Sequence, residues 1–246
     1  MEQLRPDGAA SPAVAGIVLA AGLSSRMGGV CKLVLPVAGV PLLVHGIRSL
    51  TPWCGRVVVV TGAHEETIGL ALQACPTCER VHNPRVAGTM ISSVKEGLRH
   101  LLGGPADVPV PARIFILPGD CAFVDPSVCG ALLATDADVA MPAYRGQTGH
   151  PVLLSGAAAR AVMHASDGTP LCQCLAACHT VRVDVEDPGI LIYVDTREAY
   201  GRILRNLDRR FRGPFVSFHP PGAHAGKPAG GSHGSDQPLC HPDGFQ

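Results

Sequence analysis

Four short runs of apolar, largely branched residues punctuate the chain, at 16–20, 57–60, 114–117 and 139–141. None of them alternates with polar positions, so each predicts a strand covered on both faces, as in a parallel sheet. Between the runs, apolar residues recur at helical spacing. One helix is expected from Pro41, a good first-turn residue, to about Leu50. A second carries Ile91, Val94, Leu98 and Leu101 on one face. A third is expected after Thr196 as N-cap, grouping Tyr200, Ile203, Leu204 and Leu207. Alternation of strand and helix predicts an α/β sandwich with helices on both faces of the sheet. In such folds ligands sit at the carboxyl ends of the strands.

The alternation occupies residues 14–212, read as one domain. Residues 1–13 read as a flexible leader. The segment 213–246 reads as a disordered tail, since six Pro, six Gly and four His from Pro214 onward come with no apolar period. His219, His224, His233 and His241 in that tail are either loose metal ligands or solvated residues without chemistry.

Composition narrows the picture. The 246 residues are 46% hydrophobic and 16% charged, which is enough to bury a core. Lys and Arg number 20, as do Asp and Glu, so no basic surplus points to nucleic acid or an anionic membrane. No run of 18 apolar residues suggests a spanning helix. The first residues, MEQLRPDGAASPAV, lack the basic and apolar regions of a secretory signal. A soluble cytoplasmic protein is expected. The ten cysteines are expected to be reduced thiols, mostly buried. Cys75 and Cys78, with Cys172, Cys174 and Cys178, are also enough to furnish a zinc site. The stretch 172–178 looks helical, however, and places i and i+2 on different faces.

The strongest chemical signal follows the first predicted strand. Leu19, Ala20, Ala21 and Gly22 open a loop that continues through Ser24, Ser25, Arg26, two glycines and Lys32. Small side chains let backbone N–H groups approach phosphate oxygens closely. Arg26 offers a planar fork and Lys32 a point charge. The loop matches neither the dinucleotide-binding GxGxxG nor the GxxxxGK[ST] phosphate loop. Asp120 stands at the carboxyl end of the run 114–117. Asp195 follows the apolar stretch 190–194 and precedes a helix. Two strand-end carboxylates meeting in one cleft hold a hard cation by oxygen ligands. An isolated strand-end Asp also serves as a turn or cap residue.

These motifs together resemble the MobA-like nucleotidyltransferases. The opening LAAG-x-SSRMGG-x-x-KL-x-LP-x-x-G-x-PLL is most similar to the molybdenum cofactor cytidylyltransferase group. The resemblance runs from about Gly16 to Tyr200. It continues through NPRVAGTMISSVKEGL (83–98), PGDCAFVDP (118–126), GQTGHPVLL (146–154) and YVDTREAY (193–200). The chain departs from the family's pattern at Cys121 and Ala122, where Pro follows the metal Asp by two, at Thr89, where glycine is common, and at Tyr193, where an extra Asp is frequent.

The resemblance implies a Rossmann-like three-layer sandwich with a mostly parallel sheet, as in nucleotide-diphospho-sugar transferases. It implies transfer of CMP from CTP to molybdenum-bound molybdopterin, with Mg²⁺, giving the cytosine dinucleotide cofactor and pyrophosphate. Arg26, Lys32 and Asp120 are then catalytic, and Asp120 and Asp195 hold the metal. Leu19, Ala20, Ala21, Gly22, Ser24, Ser25, Arg26, Lys32, Thr61, Asn83 and Ser92 line the nucleotide site. His150 is a substrate contact on this reading and a structural histidine on its own. Ser24 and Ser25 equally serve the loop turn. A molybdenum hydroxylase is the expected recipient of the cofactor. The alternatives are GTP or a sugar or alditol phosphate as substrate, a noncatalytic chaperone that carries the cofactor, and a zinc-binding regulator.

Overall fold

The computed structural model describes residues 13–85, 89–103 and 110–210, the side chains of 206–210 excepted. The leader at 1–13 apart from Ala13, the tail at 213–246 and the Leu207 side chain lie outside the described residues. So do residues 86–88 of the Asn segment.

Ten strands and seven helices follow one another among the described residues. They are β1 (Val14–Ala20), β2 (Pro36–Val37), β3 (Val40–Pro41), α1 (Leu42–Leu50), β4 (Arg56–Thr61), α2 (Glu65–Ala71), β5 (Glu79–His82), α3 (Met90–Leu102), β6 (Arg113–Pro118) and α4 (Pro126–Leu133). Then come β7 (Val139–Tyr144), β8 (Gln147–Thr148), β9 (Val152–Ser155), α5 (Gly156–His164), α6 (Leu171–Cys174), β10 (Thr180–Asp184) and α7 (Arg197–Arg210). The main sheet runs β10-β7-β9-β6-β1-β4-β5, with β8 paired to β7. β1, β4, β5 and β6 are parallel. β9 runs against both β6 and β7, and β10 is parallel to β7.

Side chains alternate across the sheet because the strand period is two. Val18, Val57, Val59, Phe115, Leu117, Ala140 and Leu153 face a core with Leu43, Ile47 and Leu50 of α1 and Val128 and Leu132 of α4. Ile17, Val58, Val60, Ile114, Ile116, Met141 and Leu154 face the other, with Ile91, Val94, Leu98 and Leu101 of α3 and Ala158 and Val162 of α5. This is the expected three-layer sandwich. The four apolar runs form β1, β4, β6 and β7, each buried on both faces as their sequence requires.

Helix starts follow local chemistry. Asp125 caps α4 by accepting from the Ser127 N–H, with Pro126 in the first turn. Ser155 caps α5 through the Ala158 N–H, and Thr196 caps α7 through the Ala199 N–H at 3.1 Å, as expected. In α7 Tyr200 and Ile203 pack on a small third core with Val37, Leu42, Ala122, Phe123 and Val194. Leu204, expected beside them, is 42% exposed instead.

Two further expectations are corrected. The stretch 172–178 is helical only as far as Cys174, where α6 ends. Asp195 does not follow a strand: a 3-10 turn at Pro188–Leu191 leads into irregular backbone before α7. Pro188 and the Asp187 cap of Gly189 commit that segment to a turn.

Candidate active site

β1 lies between β4 and β6, and the three strands end level: Leu19 pairs with Val60 on one side and Pro118 on the other. The chain leaves β1 toward β4 through α1 and reaches β6 through α3 on the opposite face. The carboxyl ends of β1 and β6 therefore flank a topological switch point, where an open α/β sheet leaves a crevice.

The loop after β1 fills one side of this crevice. Ser24 has a left-handed backbone at φ 51°, and its carbonyl accepts from the Met27 N–H in a tight turn. Gly28 and Gly29 continue at φ 66° and 83°, conformations that glycine adopts without strain. Ser24 Oγ then accepts from the Lys32 N–H at 3.2 Å, closing the loop on itself. Arg197, at the start of α7, donates to the Met27 carbonyl and pins the same loop from outside. Met27 itself is buried.

Gly119 explains the other side. It donates its N–H to the Leu19 carbonyl, and a Cβ there would lie 2.8 Å from that oxygen. Only glycine lets the β6 end approach β1 so closely, and Asp120 is the next residue. Asp195 is brought alongside by a backbone bond, the Val194 N–H donating to the Asp120 carbonyl.

The result is a compact charge cluster. Lys32 Nζ lies 2.5 Å from Asp120 Oδ2 and 2.7 Å from Asp195 Oδ1. Arg26 approaches Asp195 Oδ1 at 3.3 Å with its side chain 69% exposed. Burial pushes the Asp120 carboxyl upward, against the pull of Lys32. Burial acts on Asp195 in the same sense, but Lys32 and Arg26 outweigh it and hold that carboxyl below its usual range. Burial opposes the charge of Lys32, yet the two carboxylates keep its ammonium protonated above the ordinary lysine range.

Sequence reasoning thus placed Arg26, Lys32, Asp120 and Asp195 together, and the fold does so. Leu19, Ala20, Ala21, Gly22, Ser24 and Ser25 form the strand end and loop beside them. Thr61, Asn83, Ser92 and His150 are buried. Thr61 is fully buried, its hydroxyl donating to the Val81 carbonyl. The Asn83 amide donates to both Ser92 and Ser93 hydroxyls at 3.0 Å, while its oxygen accepts from the Arg85 N–H. Asn83 is 1% exposed, so it ties the end of β5 to the start of α3. These groups scaffold the crevice with their side chains turned inward.

His150 is buried, and burial lowers its pKa to about 4. Its Nδ1 shares a 2.8 Å hydrogen bond with the Tyr193 hydroxyl. Gly149 beside it admits the Ile190 carbonyl into contact that any Cβ would block. The Gly-His-Pro segment therefore docks the strap at 188–195. Tyr193 is the partner of that dock. Burial raises its pKa, and Asp120 and Asp195 are close enough to add to the rise. Sequence reasoning missed Arg197, because a cation at a helix start reads as a solvated residue. It also missed Lys95, buried on α3 and paired with Asp167.

The cysteines do not converge. Cys75 and Cys78 pack on the α1 face of the sheet, and Cys174 and Cys178 on the α3 face. A zinc site drawing on both pairs would have to pass through the sheet. Among the described residues, Cys31, Cys54, Cys75, Cys78, Cys121, Cys129, Cys174 and Cys178 carry free thiols. Among the described residues no helix is long and apolar enough to cross a membrane.

The molybdenum cofactor cytidylyltransferase of Escherichia coli (strain K12) is 27% identical over 187 residues, covering 75% of this chain and 92% of that protein. A molybdenum cofactor guanylyltransferase of Bradyrhizobium sp. (strain ORS 278) is 32% identical over 146 residues, covering 57% of this chain and 65% of that protein. Among solved structures, a nucleotidyl transferase from Methanothermobacter thermautotroptrophicus superposes with a TM-score of 0.67 at 23% identity, over 80% of this chain and 98% of the other. The family model for the MobA-like NTP transferase domain matches residues 16–182, so the chain belongs to that family and is a nucleotidyltransferase.

Proposed function

We propose that the protein transfers CMP from CTP to the terminal phosphate of molybdenum-bound molybdopterin, releasing pyrophosphate. The observation that carries this reading is the ammonium of Lys32 set between two carboxylates at the β1–β6 switch point. Cationic groups beside paired carboxylates suit a polyphosphate that arrives with a divalent cation.

The residues fit Mg²⁺. Among the described residues no cluster of three or more His, Cys, Asp or Glu is arranged for a metal. Asp120 and Asp195 would hold the ion by two carboxylates, leaving water and phosphate to complete its shell, a pattern Mg²⁺ favours. Asp120 and Asp195 would thereby place a divalent charge that could neutralise the leaving pyrophosphate. Arg26 and Lys32 bind and orient the triphosphate. The loop 21–29 presents backbone N–H groups to it. An oxygen of the pterin phosphate attacks the α-phosphorus in line, and the bond to the bridging oxygen of pyrophosphate breaks. The attacking phosphate is already ionised, so the protein's part is positioning and charge neutralisation.

The preference for CTP rests on Ala21. A Cβ placed on Gly62, at the end of β4, would lie 2.9 Å from Ala21 Cβ, so this wall of the loop is close-packed. The Ala21 methyl narrows the space beside the base. The 27% identity to a cytidylyltransferase supports the same choice. The guanylyltransferase relatives make GTP the second reading. The enzyme would act in the cytoplasm and hand its product to a molybdenum hydroxylase.

The test is incubation of the protein with Mo-molybdopterin, Mg²⁺ and each NTP in turn, following pyrophosphate. Release with CTP above all others is expected. Release with GTP alone would replace the base assignment, and release with none would remove the function.

A further inference from the structure

Lys32 contacts the same two oxygens that the proposed function gives to a metal, Asp120 Oδ2 and Asp195 Oδ1. An ammonium at 2.5 and 2.7 Å from them and a divalent cation at about 2.1 Å from them would occupy one volume. They would also repel each other strongly in a part-buried site. We propose that Lys32 is the resting occupant of the cation position: it excludes free divalent ions from the empty enzyme, and the nucleotide's phosphates draw it away to open that position.

Charge supports this. Two carboxylates are balanced by Lys32 and Arg26 in the resting cluster. A dication entering alone would leave an excess of positive charge that has no counterion in the cluster. A polyphosphate supplies that counterion and gives both cationic side chains somewhere to go. The mechanics support it as well. The Lys32 backbone is fixed by Ser24 and by the 3-10 turn Lys32–Val34, while its four-carbon stem can rotate. Arg26, mostly exposed, is freer still. Metal and nucleotide then bind cooperatively, each raising affinity for the other by the same factor.

This inference rests on the metal-nucleotide reading of the site but not on which base or acceptor is used. Its test is a titration of nucleotide-free protein with Mn²⁺, reading free Mn²⁺ by electron paramagnetic resonance. Wild type, Lys32→Met, Lys32→Gln and Lys32→Met combined with Asp120→Asn are compared, each checked by a melting curve. Both single variants are expected to hold Mn²⁺ roughly tenfold or more tighter than wild type. Adding Asp120→Asn should erase that gain. Two variants of different polarity guard against one failing to fold. Equal or weaker binding by the single variants would overturn the competition, whereas the proposed function is judged separately by pyrophosphate release from the wild type. A gain that survives Asp120→Asn would put the ion elsewhere and overturn it too. Pyrophosphate absent with every NTP, beside a tenfold gain for Mn²⁺, would remove the function and keep the competition.

Discussion

Asp120 is held by its neighbours and is not what holds them. Its backbone is fixed by the Gly119 approach to Leu19 and by the Val194 N–H. Its side chain meets Lys32, which keeps Asp195 as a second partner. Asp120→Asn should therefore melt within a few degrees of wild type while turnover falls about a thousandfold or more, if the carboxylate's charge holds the metal. Measuring kcat across a Mg²⁺ series beside the melting curves checks this. Loss of fold together with activity would mark Asp120 as structural. Ala21 makes a different demand. Its methyl should favour CTP over GTP, and Ala21→Gly should narrow the ratio of their kcat/KM values. Equal values for both nucleotides in the wild type would sink the base assignment. The placement of these residues was legible, because each closely follows a continuous apolar run that reads as a buried strand. The burial of Thr61, Asn83, Ser92 and His150 was not legible, since a motif says which residue stands at a position and not which way it faces. Each turned inward to satisfy a buried partner.

At the scale of elements, the strap at 188–195 decides whether the two carboxylates meet. It is docked by His150 through Tyr193, and by the His150 N–H donating to the Ile190 carbonyl. Burial lowers the His150 pKa from 6.5 to about 4. Between these values the unfolded chain binds a proton that the folded chain refuses, so stability falls as pH drops through this window. The full effect is on the order of 3 kcal/mol, lost between pH 6.5 and 4. Unfolding free energies by urea at several pH values should show that slope, and His150→Gln should flatten it. An unchanged slope in the variant would mean that another group sets the acid limit. The elements themselves were unevenly legible. β1, β4, β6 and β7 are branched and buried on both faces, which leaves a continuous apolar run. β5 and β10 are edge strands, with polar Glu79 and Arg80 in one and Arg182 and Asp184 in the other. Their partial burial gives no run to read. α5 is rich in alanine, and its buried stripe of Ala158, Ala159 and Val162 is too small to announce a period. The strap was read as a strand because 190–194 is apolar. Its turn was set by Asp187 and Pro188 upstream.

For the whole molecule, the three cores and the charge cluster are built from described residues, and the sequence from Pro214 onward offers no apolar period that would add a face to them. A chain truncated after Arg212 should keep its melting temperature and its turnover. A large loss of either would show that the tail docks. The layered fold followed from the alternation of strand and helix. The placing of the site followed from the switch point beside β1, which no local pattern announces. One feature of the cluster bears on how the protein is made. Asp195 lies 163 residues beyond the lysine it contacts, after every strand of the sheet. A chain emerging from the ribosome can lay down β1, β4, β5 and β6, and even set Lys32 against Asp120, before Asp195 exists. Until the strap is delivered, such a nascent chain holds the crevice with half of its carboxylate pair. On the proposed function it would transfer no nucleotide, and activity would appear as a single late event in synthesis.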